Sequence, residues 1–267
     1  MALTPYIKKR IQRYEPVEAE GLTLYPVTMA EREDFIYARP AIDMVQQSMP
    51  PLYAAMPLLS AYFKMDHEAV TAGQEPVGLF AGALLMLALS LRLGTGRTAE
   101  ERLKLFRLKV DAQDQSRLTA VVFWAEGEEM HSVTPVQFQR LREIIAAQNG
   151  IALTSDDANP ELVEAERALH EAESAALSGD LGEKIAAVCA LCRVEEAEVE
   201  EWPILKFDTR ARAWQRIMGF MVCGIAQAQG SRWKGGNPYP SLFYERTDHE
   251  SGALRPMSDV TRGMTAQ

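Results

Sequence analysis

Cys189-x-x-Cys192 has the spacing of redox and metal motifs. It has no second CxxC and no histidine pair at ligand distance, and its flanks (AAVCALCRV) are apolar and helical in pattern. Buried cysteine behaves as a small hydrophobe, so the pair reads as packing. His67, His131, His170 and His249 neither form HExxH nor sit beside a nucleophile signature. Gly94-Thr95-Gly96-Arg97-Thr98 has the glycines of a phosphate loop, but lacks the GK[ST] ending and follows a helical run rather than a strand. A helix stop followed by an N-cap accounts for it. The acidic run 195–201 (EEAEVEE) reads as a solvated face, because carboxylates without fixed geometry hold metals weakly. A docking face for a basic partner is the other reading of that run. No catalytic residue, cofactor-binding residue or metal ligand is assigned, and no cofactor is expected.

The most distinctive stretch is 233–244 (WKGGNPYPSLFY), four aromatics and two prolines with neither helical nor strand period. Proline limits backbone entropy, and aromatics give large contact area at low ordering cost. Trp233, Asn237, Pro238, Tyr239, Pro240, Phe243 and Tyr244 are therefore the candidate partner-binding residues. A strap over the chain's own domain fits the same composition.

The elements that must position these groups follow from period and punctuation. Residues 22–27 (LTLYPV) predict a short strand. Thr28-x-x-Glu31 predicts a capping box and a helix to about Ala38, with Pro40 opening the next helix and Pro50-Pro51 ending it. Leu52 to Phe63 has helical spacing, with a kink expected at Pro57. Pro76 to Leu91 is uncharged for 16 residues, short of the roughly 20 that a spanning helix needs, and reads as a buried central helix. Thr98-x-x-Glu101 is a second capping box. The period then changes to two. Alternation over 103–110, the β-branched and aromatic run 117–124, and a short segment near Met130–Val133 predict three strands. Thr134-Pro135-Val136-Gln137 caps a helix that ends at Asn149-Gly150. Beyond a polar linker at 154–158, helices are expected over about 159–176, 181–192 and 195–201. A last one spans 204–228, with its stripe at Phe207, Ala211, Trp214, Met218, Met221 and Ile225. Trp214 and Met218 are expected to be buried.

The fold class is thus mainly α (α+β), with a β-hairpin and three-strand-plus-helix unit at about 103–150. The domain plan is a helical domain over 1–153 containing that unit, an acidic helical domain over 154–229, and a flexible aromatic and proline-containing tail over 230–267. The 267 residues carry a net charge of −9. Residues 154–202 hold 14 acids against 3 bases, whereas 203–267 hold 9 bases against 5 acids. An acidic chain repels phosphate backbones, so nucleic-acid binding is disfavoured. Three cysteines are too few for a disulfide scaffold. The N-terminus has no apolar core of a signal peptide, which points to a soluble, cytoplasmic protein.

Trp-Gln-Arg-Ile-Met (214–218), Lys-Gly-Gly-Asn-Pro-Tyr-Pro-Ser (234–241) and the early Leu-Tyr-Pro-Val-Thr (24–28) carry a resemblance. Together they resemble the tail assembly chaperones of tailed phages and prophages in Gram-positive hosts. The resemblance implies a non-catalytic protein of the host cytoplasm that keeps the tape measure protein soluble and helps tail-tube subunits of the major tail protein assemble. It carries over no catalytic residue, and self-association into a homo-oligomer is left open. A structural virion component of the tail or neck is the alternative, and an enzyme whose site is built from residues distant in sequence is the second alternative.

Overall fold

The computed structural model describes residues 3–124, 130–153 and 180–229. Helix α1 (Pro5–Gln12) is capped by Thr4, whose hydroxyl accepts from the Ile7 N–H. Strands β1 (Val17–Ala19) and β2 (Leu22–Leu24) form an antiparallel hairpin. Its two-residue turn, Glu20-Gly21, has positive φ at both positions, the twist that suits a tight hairpin. Residues 29–31 form a 3₁₀ turn that leads into α2 (Arg32–Asp43). The capping box expected at Thr28 is not formed: its hydroxyl meets the Glu31 carboxylate at 3.4 Å, and no side-chain cap closes on the backbone. Pro40 does not open a new helix either, but lies inside α2. Ala38, Ala41 and Ile42 on the same turns are buried, and that packing outweighs one missing N–H. At Pro57 the expected kink is a full break between α3 (Pro51–Ala54) and α4 (Leu58–Thr71).

The uncharged run becomes α5 (Leu79–Ser90), where Phe80 and every residue from Gly82 to Ser90 are buried. A helix that is apolar all round has to be enclosed, and α2 and α4 do this. Gly82 lets α2 approach closely: a Cβ there would stand 3.2 Å from the Ala41 Cβ. On α4, the Tyr62 hydroxyl donates to the Ala41 carbonyl at 2.8 Å, and Phe63 meets the Phe80 ring edge-on at 5.3 Å. Helix α6 (Ala99–Leu103) has the complete Thr98/Glu101 capping box.

Strands β3 (Arg107–Val110), β4 (Leu118–Trp124) and β5 (Met130–Val133) form an antiparallel sheet in that order. Leu118, Ala120, Val121 and Phe123 are its buried residues on β4. Helix α7 (Pro135–Gln148) follows with the Thr134/Gln137 box and proline at its first turn. It also ties distant parts together. Arg142 donates to the Ile42 and Met44 carbonyls at 2.7 and 2.6 Å, satisfying the C-terminal end of α2. Gln148 donates to the Leu24 carbonyl at 3.1 Å, and Asn149 accepts from the Val27 N–H at 2.9 Å.

Helices α8 (Leu181–Cys192), α9 (Glu196–Glu200) and α10 (Ile204–Ala228) complete the described chain. The stretch before α10 is sewn to the hairpin's exit. Met29 N–H donates to the Trp202 carbonyl, and Ile204 N–H donates to the Val27 carbonyl, both at 2.9 Å. Trp202, Ile204 and Phe207 are buried there. Contacts divide the chain into two units, residues 1–207 and 208–267, so α10 starts in the first and continues in the second. The molecule is therefore mainly helical, with two small antiparallel sheets between helices among the described residues. Among the described residues no helix is long and apolar enough to cross a membrane. The expected linker at 154–158, the acidic helix over 159–176 and the segment from 230 onward lie outside the described residues.

Candidate functional site

Cys189 and Cys192 sit on α8, both half-buried and unbridged. Partial burial, and after it the carboxylates of Glu196 and Glu195, hold the Cys189 thiol above its ordinary pKa, which is the reverse of what a reactive thiolate needs. His67 stacks on Phe63 at 6.1 Å, and His131 stacks on Phe123 at 5.8 Å. His170 and His249 lie outside the described residues. Among the described residues no group of three His, Cys, Asp or Glu side chains is placed to hold a metal ion. Trp233, Asn237, Pro238, Tyr239, Pro240, Phe243 and Tyr244 also lie outside them.

The Gly94–Thr98 turn and the acidic run, read separately in the sequence, meet at one cleft of about 1110 Å³. Its walls come from the start of α2, the 92–102 turn with α6, and α9 with the Glu201 that follows it. Arg102, 2% exposed, lies in its lining. One nitrogen, Nη2, donates to Glu31 Oε1 at 2.6 Å, and Nε donates to the Arg97 carbonyl at 3.3 Å. The remaining one, Nη1, is buried and makes no hydrogen bond among the described residues. Arg92 lies with its guanidinium 4.3 Å from the Tyr25 ring centroid, a cation–π contact. Glu31, Glu33, Asp34, Glu200 and Glu201 oppose Arg92, Arg97 and Arg102, so the lining is acidic on balance. The hydroxyls of Thr28, Thr95 and Thr98 are engaged by Glu31, the Arg92 carbonyl and Glu101 respectively. The cleft thus sets carboxylates beside guanidinium groups in one lining. Nothing local in the sequence pairs Glu31 with Arg102 across 71 residues; only the fold does.

A second cavity of about 520 Å³ lies where α4 faces the sheet and the start of α7, lined by Met56, Pro57, Lys64, Asp114, Arg117 and Pro135 among others.

The exposed apolar surface concentrates elsewhere. On α10 the stripe exists, but past Phe207 none of it is buried. Trp214 is half-buried rather than buried, and Met218, expected inside, is 47% exposed. Met221 and Ile225 are 53% and 57% exposed. Periodicity shows which residues share a helix face. It does not show whether the chain itself supplies the cover.

Comparison of the chain with family models, curated proteins and solved structures finds no match.

Proposed function

We propose that the chain works by contact, as a non-catalytic assembly protein of a phage tail module that engages the tape measure protein and the tail-tube subunits. The observation that carries this reading is the uncovered apolar face of α10, where Met218, Met221 and Ile225 lie on one side of one helix. Contiguous apolar surface of this kind marks an interaction site in a folded protein. The segment 233–244, which follows α10 directly in sequence, adds the aromatic and proline composition of a partner-binding stretch. The terminal strings described above supply the identity of the client. The acidic cleft gives a second contact, for basic segments of a partner.

Co-expression with the tape measure protein of a tailed phage of a Gram-positive host tests the reading. The expected result is a gain in that protein's soluble yield and its co-purification with this chain. Unchanged solubility with no co-purification overturns it. Proteomics of purified particles separates an assembly factor, expected to be absent from finished virions, from a structural tail or neck component.

A further inference from the structure

The cleft between α2, α6 and α9 contains a donor with nothing to bond. Arg102 is 2% exposed, and its Nη1 is enclosed without an acceptor among the described residues. The other two nitrogens are engaged, Nη2 by Glu31 Oε1 at 2.6 Å and Nε by the Arg97 carbonyl at 3.3 Å. An enclosed N–H without an acceptor costs free energy that an incoming acceptor recovers. The kind of acceptor follows from the charge. Glu31 already balances the guanidinium, so Nη1 suits a neutral oxygen rather than a second anion. A peptide carbonyl is such an oxygen, and a phosphate is not.

The rest of the lining sets the charge of whatever carries that carbonyl. Glu33 and Asp34 stand at the start of α2, and Glu200 and Glu201 at the end of α9. None of these four carboxylates has a hydrogen bond or ion pair among the described residues. In the whole lining five carboxylates oppose three guanidinium groups, and that of Arg92 lies over the Tyr25 ring. No three of the acids are placed to hold one metal ion, so the positive charge that suits them is extended rather than a point. At about 1110 Å³ the cleft is also roomier than the about 300–1,000 Å³ of most small-molecule pockets. We propose that it binds a lysine- or arginine-rich peptide segment. A main-chain carbonyl of the segment accepts from Arg102 Nη1, while its basic side chains lie toward Glu33 and Asp34 on one wall and Glu200 and Glu201 on the other. Carbonyls inside a helix are already accepting, so the segment is extended where it passes Arg102. The proposal rests on the reading of this cleft as a contact for basic segments, and it names what such a segment has to present.

Isothermal titration calorimetry of the full-length chain with acetylated, amidated tetralysine at low salt tests the proposal. Spermine is the comparison, because it carries as many positive charges and has no carbonyl. Tetralysine is expected to bind about fivefold tighter or more. Glu200→Gln with Glu201→Gln removes two exposed charges without touching the core, and is expected to weaken both ligands by about fivefold. Glu31→Leu with Arg102→Met removes the Nη1 donor and leaves the net charge unchanged. It is expected to abolish the preference for tetralysine over spermine, with circular dichroism checking that the fold is kept; the spermine comparison and the glutamine pair decide without it. Failure of tetralysine to bind overturns the proposal. So does spermine binding as tightly, which would make the cleft a site for any polycation. A glutamine pair that binds as tightly as its parent overturns it by placing the peptide on another acidic stretch, and so does a folded leucine–methionine pair that keeps the preference. These titrations contain no phage protein, so their failure leaves the co-expression result standing, and failure of co-expression leaves theirs.

Discussion

Arg102 and Glu31 show how one side chain's burial sets the cost of losing another. Arg102 is almost fully enclosed and has a single carboxylate at 2.6 Å. Glu31→Ala therefore leaves a guanidinium in low dielectric without its counter-charge, expected to cost about 3 kcal/mol or more in urea unfolding. Glu31→Leu with Arg102→Met should recover most of that loss, because it removes the buried charge together with its partner. Asp66 presents the opposite balance. Its Oδ1 accepts from the Val77 and Gly78 N–H groups at 2.8 and 3.3 Å, which stabilises the carboxylate. Burial outweighs those bonds and raises its pKa above the ordinary value. With the folded pKa above the unfolded one, the folded chain takes up the proton first as pH falls. Stability from this group is present at low pH and lost as pH rises through its folded pKa. Asp66→Asn keeps an acceptor for both N–H groups and removes the charge. It is expected to match or exceed the parent at neutral pH, and to lose that advantage as pH falls toward the ordinary aspartate value of about 3.9. Denaturant titrations of both chains across that window read the difference.

Among the elements, α5 decides the packing, and the contact at Gly82 decides how close α2 can come. A Cβ at Gly82 would meet Ala41 at 3.2 Å and the Ala38 carbonyl oxygen at 3.6 Å. Gly82→Val has to push the two helices apart, and is expected to cost about 2 kcal/mol or more by thermal unfolding. Helix α5 was legible in the sequence because sixteen uncharged residues can only be enclosed, and α6 and α7 because Thr98-x-x-Glu101 and Thr134-Pro-Val-Gln are written in local chemistry. The three strands of the sheet were legible for the same reason, through period and β-branched content. What failed was set at long range. Pro40 breaks helices in isolation, yet α2 continues through it because Ala41 and Ile42 are held against the core and Arg142, 100 residues away, caps the helix's last carbonyls. Met218 carries the same apolar signature as Phe207, but Phe207 is 2% exposed and Met218 47%. The cleft was less legible still, since residues 28–31 join its two sides, Glu31 through Arg102 after the turn and Thr28 through Pro203 after the acidic helix.

At the scale of the molecule, stability and contact are assigned to different stretches. Every buried apolar side chain among the described residues lies between Ile11 and Phe207. From Asp208 on, α10 contributes partly covered or exposed residues, and Met218, Met221 and Ile225 are 47%, 53% and 57% exposed. If 230–267 were part of the same core, its aromatics would have to bury against that unit, and removing them would expose the surface they cover. Ending the chain after Gly230 distinguishes the two arrangements. With the core complete by Phe207, the shortened chain should unfold in one transition within about 3 °C of the parent, the shift that corresponds to roughly 1 kcal/mol in a domain of this size. Fluorescence of the buried Trp202, read in chains whose Trp124, Trp214 and Trp233 are phenylalanine, should report that transition unchanged. A drop well beyond that would mean that the aromatic segment stabilises its own chain, and its prolines and rings would then have to be read as a strap rather than as a hand held out to a partner.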